Sequence, residues 1–585
     1  MTTKLSLAIS LLLIFTYLGL AITYSMVTPL YEAPDEIGHV AYLLQLRERH
    51  TLPVQQVGVL GSAQHPPLYY AIATLLAWPA DLTDGTGVFQ PNPAFMWGPN
   101  GGHEVNAGLH YSAATFPYHG IALFVHLARL ASILMGAGTV FLVLCMGWHL
   151  FPATPAIGLL AAALVAFNPQ FLFISSVVNN DNLLILATTA IAFTLLCALA
   201  EPHATRHWLW VGLWLSVATL AKVNGLLMLG VVGLCIGCCA LRARSWTLLV
   251  RTGLAVGLPL LLLTSWWFFR NWTLYGDPLG WTTFKEVYHS HLRTAPLTGN
   301  DLRQFFTTQL NSFWGLFGWM NLWAPAWFYT WIRLLGGAAV VGLFVFLWRG
   351  WTKITPVQRT MVVALALTVV AYEGYILWAI NTFNAAWYQG RYLLPVVGPL
   401  MLLTSLGLLS LAPARFRPAL ASSFTALLLA IAIFMPLRVL APAYRTVPQP
   451  KAALWFLPHP RHDRFGDAML LRGYRIKTVG DQVILDLYWQ ALTTPDFNYS
   501  AFVHLLDPQE QIIAQQDHAP GEAEGYPPTV WQPGDIVIGE YTLTLPAGQG
   551  LDHYRLRVGL YNWETGARLP VQTTAGAVQD FVILE

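Results

Sequence analysis

Residues 6–27 read SLAISLLLIFTYLGLAITYSMV, and residues 28–39 follow as TPLYEAPDEIGH. The first run carries no charge and, as a helix, is about 33 Å long, enough to cross a hydrocarbon core of about 30 Å. The second places Glu32, Asp35, Glu36 and His39 directly behind it. A membrane helix that delivers a cluster of acids to one aqueous face is therefore the starting point. Lys4 ahead of an apolar run also fits a signal peptide, but the length of the run and the lack of a persuasive small-x-small cleavage site favour an uncleaved span.

The pattern repeats along the chain. Of 585 residues 55% are apolar and 10% charged, against about a quarter charged in a soluble domain. About eleven spans are expected, at 6–27, 121–148, 155–178, 183–200, 207–221, 223–241, 248–269, 327–348, 358–380, 393–412 and 418–438. Asn168-Pro169 is placed to break or bend the third, and 207–241 reads either as two spans or as one broken helix. A net charge of +2 with the cations in short loops argues against nucleic acid as a partner and for membrane lipids. The five cysteines all lie in apolar stretches. Cys235-x-x-Cys238-Cys239 reads as small-residue packing before it reads as a redox or metal motif.

Loop cations set the expected orientation. Arg242, Arg244, Arg251, Arg349, Lys353, Arg359, Arg415 and Arg417 share the side of Lys4, which is then cytoplasmic. The long loop 28–120, the turn 179–182, the loop 270–326, the turn 381–392 and the tail after 440 are expected outside, on a multi-pass protein of the cell (plasma or inner) membrane. A tryptophan group, Trp266, Trp267, Trp314, Trp319, Trp323 and Trp327, fits an interfacial belt there, or stacking on a sugar or isoprenoid chain.

The tail changes period. Val483, Leu485, Leu487 and Trp489 alternate with polar residues, as do Ala501, Val503 and Leu505, and Tyr554, Leu556, Val558 and Leu560. With further runs at 511–516, 537–545 and 577–584, about seven strands form a compact antiparallel sandwich. The expected organisation is a transmembrane domain 1–445, a linker 446–464 and an extracytoplasmic β-sandwich 465–585. Trp489 is expected in its core, with Trp531 and Trp563 near turns as glycan-binding candidates. His504, Asp507, Asp517 and His518 read as loop polarity rather than as a metal site.

Charges that look out of place mark the chemistry. Pro34 fits a first helical turn, so Asp35 and Glu36 would sit at a positive N-terminus with His39 one turn on. Asn179-Asn180-Asp181-Asn182 presents a second carboxylate on the same expected side. Lys222, Arg270 and Arg391 are cations at outer ends of spans, against the positive-inside trend, and such cations are candidates for lipid phosphate. A capped, solvated acidic turn and snorkelling cations explain the same residues without function, equally well for Arg270.

Taken together these motifs resemble the GT-C superfamily of polyprenyl-phosphate-sugar-dependent glycosyltransferases. Asp35-Glu36 is similar to the Asp-Glu pair of protein O-mannosyltransferases and to the first-loop acid of aminoarabinose transferases. Ala33-Pro34-Asp35-Glu36 with His39, Ser175 to Asp181, Arg270-Asn271 with Tyr275 to Leu279, and Gly390-Arg391-Tyr392-Leu393-Leu394-Pro395 look closest to a bacterial branch of that group. The resemblance implies a GT-C-like fold and inverting transfer of a hexosyl or pentosyl group from a polyprenyl-phosphate donor, on the outer face, to a glycan, lipid or protein acceptor. It implies Asp35 as catalytic base with Glu36 as helper or alternative, Asp181 positioning the acceptor or a metal, Lys222, Arg270 and Arg391 on the donor phosphate, and His39, Asn180 and Tyr392 in support. A divalent ion (Mg or Mn), if the chain uses one, would sit on Asp35 and Asp181. Rival readings are a transporter or flippase, a ligase or polymerase of lipid-linked saccharides, and a membrane anchor for the β tail.

Overall fold

In the computed structural model the described residues are 3–584 without 58, 60, 84–86, 93–94, 96–104, 111–115, 445–447, 450, 523–525, 547 and 574–575. Parts of the expected outer loop 28–120 and of the expected linker therefore lie outside the described residues. The chain divides into two compact units, one of Met1–Leu82, Trp97–Asn100 and Leu123–Tyr444, the other of Thr83–Met96, Gly101–Ala122 and Arg445–Glu585.

The first unit is helical: α1 (Thr3–Val27), α2 (Glu36–Arg49), α3 (Leu68–Ala77), α4 (Gly120–Leu150), α5 (Pro155–Ala166), α6 (Pro169–Ser175), α7 (Asp181–Ala200) and α8 (Thr205–Ala221). There follow α9 (Leu227–Ala243), α10 (Trp246–Tyr275), α11 (Trp281–Val287), α12 (Gly299–Gly315), α13 (Ala326–Val345), α14 (Pro356–Thr382), α15 (Val397–Ser410) and α16 (Arg417–Met435). A two-residue hairpin, β1 (Leu316–Phe317) with β2 (Leu322–Trp323), sits between α12 and α13.

Among the described residues nine helices are long and apolar enough to cross a membrane, or ten if α5 and α6, bent by 60°, count as one broken span. The expected eleven is not reached, because α8, which opens on Arg206-His207, is both less apolar than the other spans and short. The 17-residue α8 spans about 26 Å, short of a hydrocarbon core of about 30 Å. The α5–α6 bend falls at Asn168-Pro169, as the sequence suggests. Asn168 caps α6, its Oδ1 accepting the Gln170 and Phe171 N–H groups, and its Nδ2 donates to Phe313 O. Residues 207–241 resolve into two helices joined by a 3-10 turn, Val223–Leu226.

The second unit holds two antiparallel sheets. β3 (His459–Phe465), β4 (Met469–Val479), β5 (Gln482–Ala491), β6 (Ser500–Leu506), β7 (Ile512–His518), β8 (Ile536–Thr544), β9 (Arg555–Tyr561), β10 (Val571–Gln572), β11 (Val578–Gln579) and β12 (Val582–Leu584) follow in chain order. One sheet runs β11-β10-β3-β4-β5-β8 and the other β12-β9-β6-β7. Their inward residues share one core, with Val483, Leu485, Leu487 and Trp489 from β5 facing Ala501, Val503 and Leu505 from β6 and Leu556, Val558 and Leu560 from β9. This is the expected sandwich with more strands than the sequence displayed. β3 lies mostly inside the expected linker because His459-Pro-Arg-His-Asp-Arg lacks apolar alternation. It pairs with β4 through a register shift between Pro460 and Asp463. Leu109 packs on the same core, so part of the expected 28–120 loop belongs to this unit. Trp531, expected near the surface, is instead fully buried with its Nε1–H on Tyr526 O. Trp563 is exposed beside Phe497. The tryptophans of the helical unit form no single wall either, since Trp267 and Trp314 are buried while Trp266, Trp323 and Trp327 are exposed.

Candidate active site

The site is built on a knot that the sequence reading did not contain. Arg129 of α4 is fully buried and uses its whole guanidinium. Nε and Nη2 donate to the two oxygens of Glu36 at 2.8 and 2.7 Å, Nη1 donates to Ser25 O and Thr28 O, and Nη2 also to Pro29 O. Glu36 then accepts the Tyr31 and Val178 N–H groups, each at 2.9 Å. A buried carboxylate is tolerated when it is paired and every lone-pair direction is used, and this one meets both conditions. It joins the end of α1, the start of α2, α4 and the turn before α7. No lone pair is left to take a proton from an acceptor, so the structure corrects the expectation of Glu36 as helper or alternative base and assigns it to architecture.

Asp35 sits at the edge of this knot in the left-handed region, φ 66°, four residues after Tyr31 at φ 71°. Backbone strain in non-glycine residues is held only where surrounding contacts over-determine it, and the Glu36–Arg129 lock next door does so. The Asp35 carboxylate meets Arg391 Nη2 at 2.5 Å. Its side chain is 51% exposed, against 5% for Arg391, so a substrate meets Asp35 before it meets the guanidinium. Burial alone would raise its pKa. The opposing charge and hydrogen bond of Arg391, with His39 and Lys222, hold it down at about 2.

A second ion pair lies alongside. Asp181, the first residue of α7, accepts from Lys222 Nζ at 2.6 Å. Lys222 is extended, φ −160° and ψ 135°, in the break between α8 and the 3-10 turn. Asn180 Nδ2 donates to Ala221 O, so neighbouring residues of one buried turn grip both the backbone before Lys222 and its ammonium. The Tyr392 ring lies 5.9 Å from Lys222 Nζ and 5.3 Å from the Arg391 guanidinium, within cation–π reach.

His39 lies between the two pairs. Its Nδ1 is 2.8 Å from Tyr70 Oη. Burial lowers its pKa to about 4 against the pull of Asp35, with Asp181, Lys222 and Arg391 also acting on it. His65, which the sequence reading did not select, stacks at 6.0 Å from His39. Burial and the nearby Lys222 push its pKa well below the ordinary histidine value.

The structure thus brings Asp35, His39, Asp181, Lys222, Arg391 and Tyr392 together, with Asn180 holding the Lys222 backbone. It sets Arg270 to one side: Nη2 donates to Pro53 O at 2.7 Å and the guanidinium lies 4.9 Å over Trp267. Arg391 Nε and Nη1 are buried with no acceptor, an arrangement that suits an incoming anion. The metal expectation fits less well. Asp35 and Asp181 each face a cation, and two cations in one cleft repel a third. Among the described residues no three His, Cys, Asp or Glu side chains are grouped to hold a metal. This donor set does not suit a Mg or Mn ion.

Residues 124–268 match the family described as dolichyl-phosphate-mannose-protein mannosyltransferase. No curated protein sequence matches the chain significantly. Among solved structures, ArnT from Cupriavidus metallidurans bound to undecaprenyl phosphate is 16% identical, over 75% of this chain and 73% of its own, with a TM-score of 0.42. The S. cerevisiae protein O-mannosyltransferase Pmt1-Pmt2 complex bound to the sugar donor is 17% identical over 52% of this chain and 36% of its own, TM-score 0.31. The Archaeoglobus fulgidus oligosaccharyltransferase in complex with Zn and sulfate is 12% identical over 76% and 55%, TM-score 0.37. The family match spans a segment that carries Arg129, Asp181 and Lys222, and it bears out the resemblance of this multi-pass membrane protein to the polyprenyl-phosphate-sugar-dependent glycosyltransferases of the GT-C superfamily.

Proposed function

We propose that the chain transfers a glycosyl group, with inversion, from a polyprenyl-phosphate donor to an acceptor hydroxyl or amine at the outer face of the membrane. The observation that carries this reading is the Asp35–Arg391 pair: an accessible carboxylate touching a buried guanidinium that has two nitrogens, Nε and Nη1, without acceptors. A phosphate has the charge and the oxygens to take those donors, with Lys222 as a second cation. The acceptor heteroatom attacks the anomeric carbon, its proton passes to Asp35, and the bond from that carbon to the phosphate oxygen breaks with its electron pair leaving on the polyprenyl phosphate. Positive charge near that oxygen stabilises the transition state more than the ground state, because the negative charge grows there as the bond breaks.

The depressed pKa of Asp35 supports an order of events. With Arg391 as its counter-ion it is a weak base. A donor phosphate drawing on the same guanidinium weakens that hold and raises the basicity of Asp35 when a substrate is present. Asp181 keeps Lys222 in place, and His39 stays neutral between the pairs.

The test is transfer from a radiolabelled polyprenyl-phosphate sugar in membranes. Arg391→Ala and Lys222→Ala each raise the donor concentration needed for half-maximal rate about tenfold or more, as loss of a charge-assisted contact does. Wild-type donor dependence in both variants would remove the phosphate role.

A further inference from the structure

Arg391 is useful as an anion site only if its backbone is fixed, because a guanidinium on a mobile turn would follow Asp35 instead of staying between Asp35 and a phosphate. We propose that Ser312, on α12 of the 270–326 loop, is a positioning residue that fixes it. This inference rests on the donor-phosphate reading above.

Arg391 lies in the 3-10 turn Gly390–Val396. A Cβ on Gly390 would lie 2.2 Å from Gln309 O, 2.3 Å from Phe313 N and 2.7 Å from Phe313 Cα. All three are backbone atoms of α12 and none can swing away. Only glycine lets the turn come this close, which is a local reason for the glycine of Gly390-Arg391-Tyr392. The approach ends in one hydrogen bond. Gly390 N–H donates to Ser312 Oγ at 2.7 Å, while the Ser312 hydroxyl proton goes back to Thr308 O within its own helix. Ser312 thus spends its proton locally and offers a lone pair to the residue before Arg391.

α12 is in turn anchored on two other elements. Gln309 Nε2 donates to Glu373 Oε2 of α14 at 3.0 Å, and Leu316 N, at its C-terminal end, donates to Gln170 Oε1 of α6 at 2.9 Å. At the far end of the turn, Thr188 Oγ1 of α7 donates to Pro395 O at 2.5 Å. The turn is held on both sides of Arg391, and α7 also carries Asp181.

The experiment measures binding of undecaprenyl phosphate to the purified full-length protein, together with donor and acceptor KM. Ser312→Ala leaves the buried Gly390 N–H without a partner, and weakens phosphate binding and raises donor KM about tenfold while acceptor KM stays near wild type and the thermal midpoint falls only by the small amount one lost hydrogen bond accounts for. Ser312→Thr, which keeps the hydroxyl, restores most of both. Gly390→Ala behaves as Ser312→Ala or worse. Wild-type phosphate affinity in Ser312→Ala, with Arg391→Ala impaired, overturns the inference and leaves the donor reading standing. A lower thermal midpoint and lower kcat in Ser312→Ala at unchanged donor KM also overturns it, since that is what a merely structural serine would show. Wild-type affinity in Arg391→Ala removes the donor reading, and this inference with it.

Discussion

Asp35 and Glu36 are adjacent carboxylates, and the structure predicts opposite phenotypes for removing their charges. Glu36→Gln replaces an acceptor-only group by an amide. The side chain now points an N–H₂ at an oxygen position that Arg129 Nη2 and Tyr31 N both occupy as donors at 2.7 and 2.9 Å. Arg129 is left as a buried cation with carbonyl contacts alone. Breaking one partner of a buried pair costs roughly 3–5 kcal/mol, and this pair has no exposed surface on either side. Glu36→Gln therefore lowers the thermal midpoint and the yield of monodisperse protein in detergent, and loses activity as a consequence. Asp35→Asn is different. Its carboxylate is half open although Arg391 is buried, and an asparagine Oδ1 can still accept from Arg391 Nη2, so the cost lies below the roughly 3–5 kcal/mol of breaking the fully buried Glu36 lock. Asparagine also accepts the left-handed backbone at φ 66° better than most residues, so the turn is kept. Loss of a general base removes about 10²–10⁴ in rate while the protein stays folded. The assay pairs a thermal challenge followed by size-exclusion chromatography with transfer of labelled sugar. A stable but inactive Glu36→Gln alongside an unstable Asp35→Asn would reverse the two roles and refute the reasoning.

Two further outcomes follow from the charges. The free enzyme's kcat/KM for donor should be flat between pH 5 and 8 as these groups go, because Asp35 near 2 and His39 near 4 have already lost their protons there. The Asp35 pKa is depressed, so its pair with Arg391 is present above the ordinary carboxylate range and disappears as pH falls toward about 2. An acid limb centred between 6 and 7 would contradict the protonation states assigned to both. Chelation by EDTA should leave the transfer rate unchanged, because Asp35 and Asp181 are each satisfied by a cation. Loss of activity that added Mg or Mn restores would show that the donor set serves a metal after all.

What was legible in the sequence depended on the kind of signal. Apolar spans other than 207–221, the bend at Asn168-Pro169 and the alternation of β5 are local patterns, and each appears where it was expected. The anomalous charges Asp35, Asp181, Lys222 and Arg391 were also legible, because burying or misplacing a charge in a membrane protein is costly enough to stand out. Their pairing was not, since it joins positions more than three hundred residues apart in one case, Asp35 with Arg391. The harder failure concerns Arg129. It sits within an apolar stretch of α4 and was read past as part of a span, although by the same reasoning a lone arginine in such a helix demands a partner. Asking which acid could satisfy it would have pointed to Glu36, and would have separated the two neighbouring carboxylates before any coordinates. Trp531 failed for the opposite reason. A tryptophan beside Gln532-Pro533-Gly534 looks like a surface residue, but turn residues report backbone direction and not burial, and its indole N–H had a carbonyl available at Tyr526. Partner-seeking groups are therefore better guides to a membrane site than motif neighbours: the question a sequence answers well is which charges cannot stand alone, and the geometry here is the set of answers they found.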